Sequence, residues 1–171
     1  GHVYSMIVTS LPFDTFLHNG YSPHLDMQIG PKTGDVCEMK TYEEFEEKML
    51  EHQKYYIEYF GQDMLLRYLT GRKEMQDPFP ISLFSDGVKV GKIGKMRELP
   101  YGLGPTINLG VGTINVGDSM AVIKKLVFDE KKITMKQLLD ALDANWEGEE
   151  NQKIREMCLA VPKYGNDDDE T

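Results

Sequence analysis

The stretch from Thr106 to Phe128, TINLGVGTINVGDSMAVIKKLVF, decides how the chain folds. Its first half is β-branched and apolar with two internal glycines, which predicts a buried strand over Thr106–Val116. Its second half has apolar residues at helical spacing, and Asp118 or Ser119 could cap a helix there. The apolar positions of that helix are Met120, Ile123, Leu126 and Val127. The stretch therefore predicts a strand followed by a helix.

Upstream, the run from Val3 to Leu11 is apolar and β-branched, which predicts a short buried strand that Pro12 closes. An irregular segment is expected to follow through Gly34, because it is rich in glycine, proline and asparagine. Long loops of this kind are often functional or belong to a larger whole.

Thr41 and Glu44 form a capping box, which predicts the start of a long amphipathic helix. We expect it to run to about Phe60, to resume after Gly61 and to end before Gly71. Its buried face is predicted to hold Phe45, Met49, Tyr56 and Phe60.

The middle of the chain has the composition of irregular structure. Asp77-Pro78-Phe79-Pro80 cannot be helical, because proline lacks an amide donor and biases its predecessor towards extended geometry. A short strand is expected over Ile81–Phe84, and residues 85–105 have loop composition.

A second capping box, Thr134 with Gln137, predicts a helix that carries Leu138, Leu142 and Trp146 and stops near Gly148. A last helix is expected to end at Pro162. We see no internal repeat or linker, so residues 1–171 are predicted to be one segment, α/β or α+β, with no internal boundary.

Composition excludes several classes of function. The net charge of −9 would repel a phosphate backbone, so nucleic acid is not expected as a partner. No run approaches the roughly 20 apolar residues that span a bilayer, and the start at Gly1 lacks the pattern of a signal peptide. A cytoplasmic location without membrane attachment is therefore expected.

Familiar site motifs receive little support. Gly110-Val111-Gly112 lacks the third glycine of a dinucleotide fingerprint, since Asn115 stands at that place. Asn166 to Asp169 lacks the ligand alternation of an EF-hand, so an acidic turn is the better interpretation. Cys37 stands beside acidic residues that would raise its pKa, and Cys158 is expected in the core, so no metal site is predicted.

Four segments in this order resemble the glycyl radical enzymes of the pyruvate formate-lyase superfamily. They are IGPKTGD at 29–35, AVIKKLVF at 121–128, LDALDANWEG at 139–148 and PKYGNDD at 162–168. The DSMAVIKKLVF and PKYGNDDD blocks are distinctive, and the resemblance covers most of residues 25–169.

The resemblance implies an α/β fold, in which this chain forms part of a ten-stranded barrel with surrounding helices. In that family one central loop carries a cysteine that becomes a thiyl radical, and another carries the glycine that stores the radical. A separate activating enzyme, which uses S-adenosylmethionine and an iron-sulfur cluster, installs the glycyl radical in anaerobic cytoplasm. No cofactor is implied within this chain.

Neither radical motif occurs in the sequence. The resemblance implies that the cysteine loop lies upstream of this chain and that an Arg-Val-x-Gly motif lies downstream of it. No catalytic residue is therefore assigned here, and the chain alone is expected to be an inactive internal segment. The implied partners are the remainder of the catalytic subunit, the activating enzyme and a small organic acid substrate, within a homo-oligomer. A non-catalytic scaffold remnant is the alternative from another class.

The segment LPYGLGP at 99–105, with the turn around Trp146, looks more like the arylacetate decarboxylases and the aryl- or alkylsuccinate synthases than like glycerol or choline lyases. We therefore expect 4-hydroxyphenylacetate-type decarboxylation, with addition of a hydrocarbon to fumarate or acyl transfer as alternatives. By resemblance and rough spacing, His2 and Glu98 are the candidate substrate contacts. Burial of Glu98 against a phenol would raise its pKa.

Overall fold

The computed structural model describes residues 3–74 and 107–166. Within these ranges the helices are α1 to α5, with a six-residue π-helix after α3, and the strands are β1 to β4. In chain order they are β1 (Val3–Val8), α1 (Ser10–Leu17), β2 (Tyr21–Ser22), β3 (Met27–Gln28), α2 (Tyr42–Glu74), β4 (Ile107–Val111), α3 (Thr113–Ile123), the π-helix (Lys124–Asp129), α4 (Met135–Asp143) and α5 (Glu149–Ala160).

The chain divides into two compact units. One comprises Gly1–Ile7 and Ile57–Gly110, and the other comprises Val8–Tyr56 and Val111–Thr171. Strands β1 and β4, which lie almost wholly in the first unit, form a two-stranded sheet. The second unit contains α1, α3, α4, α5 and the first half of α2. That residues 1–171 form one segment without an internal boundary stays a prediction.

The strand-to-helix unit forms, but its junction lies earlier than expected. Gly112 follows β4 with a φ of 83°, a conformation that ends the strand and favours glycine. Helix α3 begins at once, so the predicted cap at Asp118 or Ser119 is wrong. Ser119 instead donates from its Oγ to the carbonyl of Asn115 within the helix, at 2.8 Å. The sequence-based prediction failed because burial of Val116 on α3 outweighs the preference of β-branched residues for strands.

Helix α1 replaces the last part of the predicted first strand and the start of the predicted loop. Pro12 was interpreted as closing a strand, yet it lies in the first turn of α1, where a missing amide proton breaks no helical hydrogen bond. The helix forms because it buries Phe13 and Phe16, and Phe16 is fully buried.

Helix α2 begins where the capping residues predicted. The Glu44 amide donates to Thr41 Oγ1 at 3.2 Å, while the Glu44 carboxylate accepts from the Lys40 amide, one residue before the expected partner. The predicted interruption at Gly61 is wrong, because α2 continues to Glu74.

The second capping box is complete. The Gln137 amide donates to Thr134 Oγ1 at 3.2 Å, and the Thr134 amide donates to the Gln137 side chain at 2.9 Å. Helix α4 ends at Asp143 rather than near Gly148, because Asn145 and Trp146 adopt positive φ. The last helix, α5, ends before Pro162 as predicted.

The core of the second unit lies where α1, α2, α3, the π-helix and α4 meet. Phe16 and Phe45 pack edge to face, with ring centroids 5.1 Å apart. The π-helix adds Leu126, whose side chain is buried, and Phe128, whose ring lies 5.8 Å from that of Phe45. The distinctive AVIKKLVF segment therefore supplies core contacts. The predicted strand Ile81–Phe84 and the loop 85–105 lie outside the described residues.

Candidate functional site

The loop that contains the sequence GPKTGD, at residues 30–35, makes hydrogen bonds to residues that precede it in the chain. The Ile29 and Gly30 amides both donate to the carbonyl of Gly20, at 3.0 and 2.9 Å. The Gln28 side chain donates to the carbonyls of Asn19 and Gly30. Gly20 has a φ of 83°, and a β-carbon there would collide with Gln28 and the loop backbone. The loop is thus held by its own polar groups rather than by apolar packing.

A buried polar cluster then joins this loop to α1 and α2. His52 on α2 is fully buried, and its ring contacts Thr15 of α1 through Nε2 at 3.1 Å and Thr33 of the loop through Nδ1 at 3.3 Å. The Tyr56 hydroxyl lies 3.1 Å from the same Thr15 oxygen. Gly30 packs so closely that an added β-carbon would lie 2.9 Å from His52 Nε2. We call Thr15, Gly30, Thr33, His52 and Tyr56 the His52 cluster.

Proton counting fixes the roles within the His52 cluster. Thr15 has one hydroxyl proton, which it donates to the carbonyls of Leu11 and Pro12 at 3.0 and 3.1 Å. Its oxygen therefore accepts from both His52 and Tyr56. With Nε2 donating, Nδ1 of the neutral ring is the acceptor for the Thr33 hydroxyl. The geometry thus favours one neutral tautomer of His52.

The surroundings of His52 oppose a positive charge. Burial lowers the pKa of its imidazole to about 4, and the nearby carboxylate of Glu51 only partly opposes that effect. Within the described parts of the chain, no carboxylate hydrogen-bonds to the ring. The His52 cluster is therefore a neutral anchor for the loop and not an acid or base at ordinary pH.

The surroundings of His18 favour a positive charge on its ring, whereas those of His52 oppose one. Burial would lower the pKa of its imidazole, but the Asp14 carbonyl and the Asp143 carboxylate outweigh that effect and raise the pKa above 6.5. Its Nδ1 lies 2.8 Å from the backbone carbonyl oxygen of Asp14, and its Nε2 lies 3.0 Å from Asp143 Oδ1. The His18 imidazole therefore links the end of α1 to the end of α4.

The contact between His18 and Asp143 borders an open groove with a volume of about 520 Å³, which we call the lateral groove. It lies wholly within the second unit, and α1, α3, α4 and α5 line it. Apolar side chains form much of its surface, among them Phe13, Leu17, Val122, Leu138, Leu142 and Trp146. Polar groups lie around them, including Asp118, Arg155 and Lys163.

The two candidate substrate contacts, His2 and Glu98, lie outside the described residues, so their roles remain proposals. Cys37 is exposed as a residue, but its thiol is partly buried. This partial burial and the nearby Asp35 both raise the pKa of the thiol, in the direction that the sequence indicated. Cys158 is half-buried against the core, and burial raises its pKa as well. Lys136 near Cys37 and Lys163 near Cys158 lower the pKa of these thiols, but burial outweighs both lysines, so neither thiol is activated as in a reactive cysteine.

Sequence reasoning missed the role of His52. A signal was present, because Phe45, Met49, His52 and Tyr56 follow each other at helical spacing on α2. A histidine within an apolar stripe implies a buried ring that needs polar partners, and the nearby loop supplies one of them.

The sequence model of the pyruvate formate lyase-like proteins matches residues 5–171. The chain belongs to this family. Trans-4-hydroxy-L-proline dehydratase of Clostridioides difficile is 37% identical over 153 residues, which cover 90% of this chain and 19% of that protein. Isethionate sulfite-lyase of Nitratidesulfovibrio vulgaris is 38% identical over 147 residues, which cover 84% of this chain and 17% of that protein.

Solved structures agree with this assignment. One of them concerns 1,2-propanediol dehydration in Roseburia inulinivorans and is 32% identical to this chain, with a TM-score of 0.79. The match covers 96% of this chain and 21% of that chain. The predicted fold class, part of the pyruvate formate-lyase barrel with surrounding helices, is confirmed. So is the expected membership of a family of glycyl radical enzymes. The chain spans about a fifth of the length of these relatives.

The expected similarity to arylacetate decarboxylases is weaker than that to the dehydratases and lyases. The 4-hydroxyphenylacetate decarboxylase glycyl radical subunit of Clostridioides difficile is 27% identical and covers 89% of this chain. Among the helices in the described ranges, none is long and apolar enough to cross a bilayer.

We expect Gly30→Ala to destabilise the protein, because its methyl group would press on His52 and Tyr56. The free energy of unfolding should fall by about 1–3 kcal/mol, as for other overpacked sites. Gly117→Ala is the matched control: it lies in α3 with open space around it, and alanine favours a helix by up to about 1 kcal/mol. Chemical denaturation measures both variants, and equal stabilities would contradict the close packing at Gly30.

His52 should make the protein sensitive to acid. Its pKa is lowered on folding, so its contribution to stability is complete above pH 6.5 and is lost as the pH falls towards about 4. His52→Gln keeps a donor for Thr15 but cannot be protonated. Between pH 7.5 and pH 5.0 this variant should lose about 2 kcal/mol less stability than the wild type.

The matched control for the loss of an imidazole is His24→Gln, at an exposed position. Unfolding by urea at the two pH values gives the comparison for all three proteins. If His52→Gln and wild type lose the same stability on acidification, then His52 is not held as a buried neutral ring.

Proposed function

We propose that this chain is part of the catalytic subunit of a glycyl radical enzyme that eliminates a small leaving group, water or sulfite, from a small polar substrate. The observation that carries the proposal is the gradient of similarity. A dehydratase and a sulfite-lyase are 37% and 38% identical to the chain, while an arylacetate decarboxylase subunit is 27% identical. The leaving group itself depends on pocket residues, which family resemblance alone does not specify.

Decarboxylation of an arylacetate is the second candidate. The segment LPYGLGP at 99–105 favours it, because this segment looks more like the decarboxylases and the alkylsuccinate synthases than like glycerol or choline lyases. The two candidates differ in the bond that breaks: carbon to oxygen or sulfur in elimination, and carbon to carbon in decarboxylation.

The radical and its partners belong to the same proposal. Neither the cysteine loop nor the radical glycine lies in this chain, so the remainder of the subunit would supply both. The stored glycyl radical would provide the hydrogen-abstracting chemistry, and an S-adenosylmethionine iron-sulfur enzyme would install it. A cytoplasmic homo-oligomer is the proposed form of the enzyme.

The contribution of this chain would be structural support together with two substrate contacts. The His52 cluster holds the GPKTGD loop without using a charge that titrates near neutral pH. His2 and Glu98 are the proposed contacts, with Glu98 sharing a proton with a polar group of the substrate.

We predict that the complete polypeptide, activated without oxygen, shows a glycyl radical by electron paramagnetic resonance and acts on an eliminating substrate. The assay supplies trans-4-hydroxy-L-proline, isethionate, propane-1,2-diol and 4-hydroxyphenylacetate in parallel and quantifies each product. Turnover of any of the first three supports elimination, and turnover of the arylacetate alone supports decarboxylation. Absence of the radical after activation, with a known family member activated alongside, would favour a non-catalytic scaffold.

The contact assigned to Glu98 predicts a separation of radical formation from turnover. Glu98→Gln should lower kcat/KM by at least roughly tenfold, a loss of about 1.4 kcal/mol of transition-state stabilisation, with an unchanged yield of radical. Arg97→Gln is the neighbouring control, since it removes a charge at the adjacent position. Equal effects of the two substitutions would show that Glu98 has no specific role.

A further inference from the structure

The His18 ring lies between a backbone carbonyl and a carboxylate, both of which accept hydrogen bonds. Its Nδ1 is 2.8 Å from the carbonyl oxygen of Asp14, and its Nε2 is 3.0 Å from Asp143 Oδ1. The Asp14 carboxylate adds another acceptor, 3.8 Å from Nδ1. A neutral imidazole carries one N–H proton, and an imidazolium carries two. Both contacts are therefore hydrogen bonds only when both ring nitrogens are protonated.

Loss of one proton leaves a lone pair facing an acceptor. If the remaining proton stays on Nδ1, the lone pair of Nε2 faces the Asp143 carboxylate at 3.0 Å. If it moves to Nε2, the lone pair of Nδ1 faces the Asp14 carbonyl at 2.8 Å. Asp14 lies one turn before His18 on α1, whereas Asp143 ends α4 and is 125 residues away in the chain. The neutral ring therefore fits worse at a contact that joins two helices.

The other charged groups near the ring come from every helix that lines the groove. Among the described residues they are Asp14 of α1, Asp143 of α4, Asp118 of α3, Arg155 of α5 and Lys163 after α5. Asp118 accepts from the Tyr164 amide, and Lys163 donates to two backbone carbonyls, so both are held by other partners. Burial lowers the pKa of His18, but its contacts with Asp14 and Asp143 outweigh burial and raise the pKa above 6.5.

His18 is also next to a residue that holds the GPKTGD loop. Asn19 Oδ1 accepts from the Gly34 amide at 3.0 Å, and the Asn19 carbonyl accepts from the Gln28 side chain at 3.0 Å. His52 contacts the same loop from α2 as a neutral ring. The end of α1 therefore connects this loop to α4.

We propose that His18 is a pH-sensitive clasp, which joins the end of α1 to the end of α4 while both ring nitrogens carry a proton and releases them when one proton is lost. The pKa of the ring is higher in the folded protein than in the unfolded chain. Its stabilising effect is therefore complete below pH 6.5 and is lost as the pH rises through the folded pKa. His52 has the opposite dependence, because its contribution is lost as the pH falls towards about 4. The loop is thus held from both sides only between the two titrations, and this inference does not rest on the proposed function.

Exchange of the imidazole Cε1 hydrogen for deuterium measures the titration of His18 in the complete polypeptide, because the exchange rate follows the ionisation of the ring. Tandem mass spectrometry separates His18 from the exposed His24, which shows whether a change is specific to position 18. The midpoint of His18 should lie above pH 6.5. Asp143→Asn should lower it, because this substitution removes the charge 3.0 Å from Nε2.

Asp140→Asn is the matched control, since it removes a carboxylate of the same helix that pairs with Lys136 and not with His18. This variant should keep the wild-type midpoint of His18. A wild-type midpoint at or below pH 6.5 overturns the proposal. So does a midpoint that Asp143→Asn leaves unchanged, or one that both substitutions lower equally.

Amide hydrogen exchange in the same samples tests whether the clasp holds the helices. The His18 side chain is 17% exposed and that of Asp143 is 56% exposed, so the pair is partly open to water. Protection of the amides at residues 19–20 and 144–146, corrected for the intrinsic rate, should fall roughly two- to fivefold as the pH rises through the midpoint, as expected for a partly exposed ion pair.

Asp143→Asn should abolish this loss of protection, because an asparagine amide donates to Nε2 of the neutral ring while Nδ1 keeps its proton for the Asp14 carbonyl. Constant protection across the midpoint in the wild type overturns the clasp, even if the ring titrates as expected. The two wild-type measurements decide the proposal if Asp143→Asn does not fold.

Discussion

The buried His52 ring joins three elements of the second unit, α1, α2 and the GPKTGD loop. It lies between α1 and the GPKTGD loop, and it satisfies Thr15 on one side and Thr33 on the other. The loop has few apolar side chains of its own, so the hydrogen bonds and the close approach of Gly30 fix its place. Neutrality of the ring is essential to this arrangement, because a buried charge without a partner is costly.

Two other segments that carry the family resemblance contribute to the same unit in different ways. AVIKKLVF supplies the end of α3 and the π-helix, whose Leu126 is buried in the core. PKYGN forms the turn that Asp118 and Lys163 hold at the lateral groove. These segments that carry the family resemblance are therefore packing and anchoring segments, which agrees with the supporting role that we propose for the chain.

Sequence patterns predicted the elements whose signals are local. Thr41 and Thr134 marked two helix starts because a capping residue acts through its nearest amides. Helix α1 was missed because Pro12 was interpreted as the end of a strand, although proline also fits a first helical turn. The early start of α3 was missed because tertiary packing outweighs the preference of β-branched residues for strands. The His52 cluster joins residues 37 and 19 positions apart, and no local pattern reports such a contact. His2 and Glu98 were proposed from the family resemblance and rough spacing, and both lie outside the described residues.

We propose that this chain is a supporting part of a radical enzyme. The most direct measurement is the nucleotide sequence of the reading frame on both sides of the segment, because it does not require the protein to fold. The account predicts a cysteine loop upstream and an Arg-Val-x-Gly motif downstream in the same frame. Stop codons close to both ends would contradict it, since the chain would then have neither partner of the radical pair.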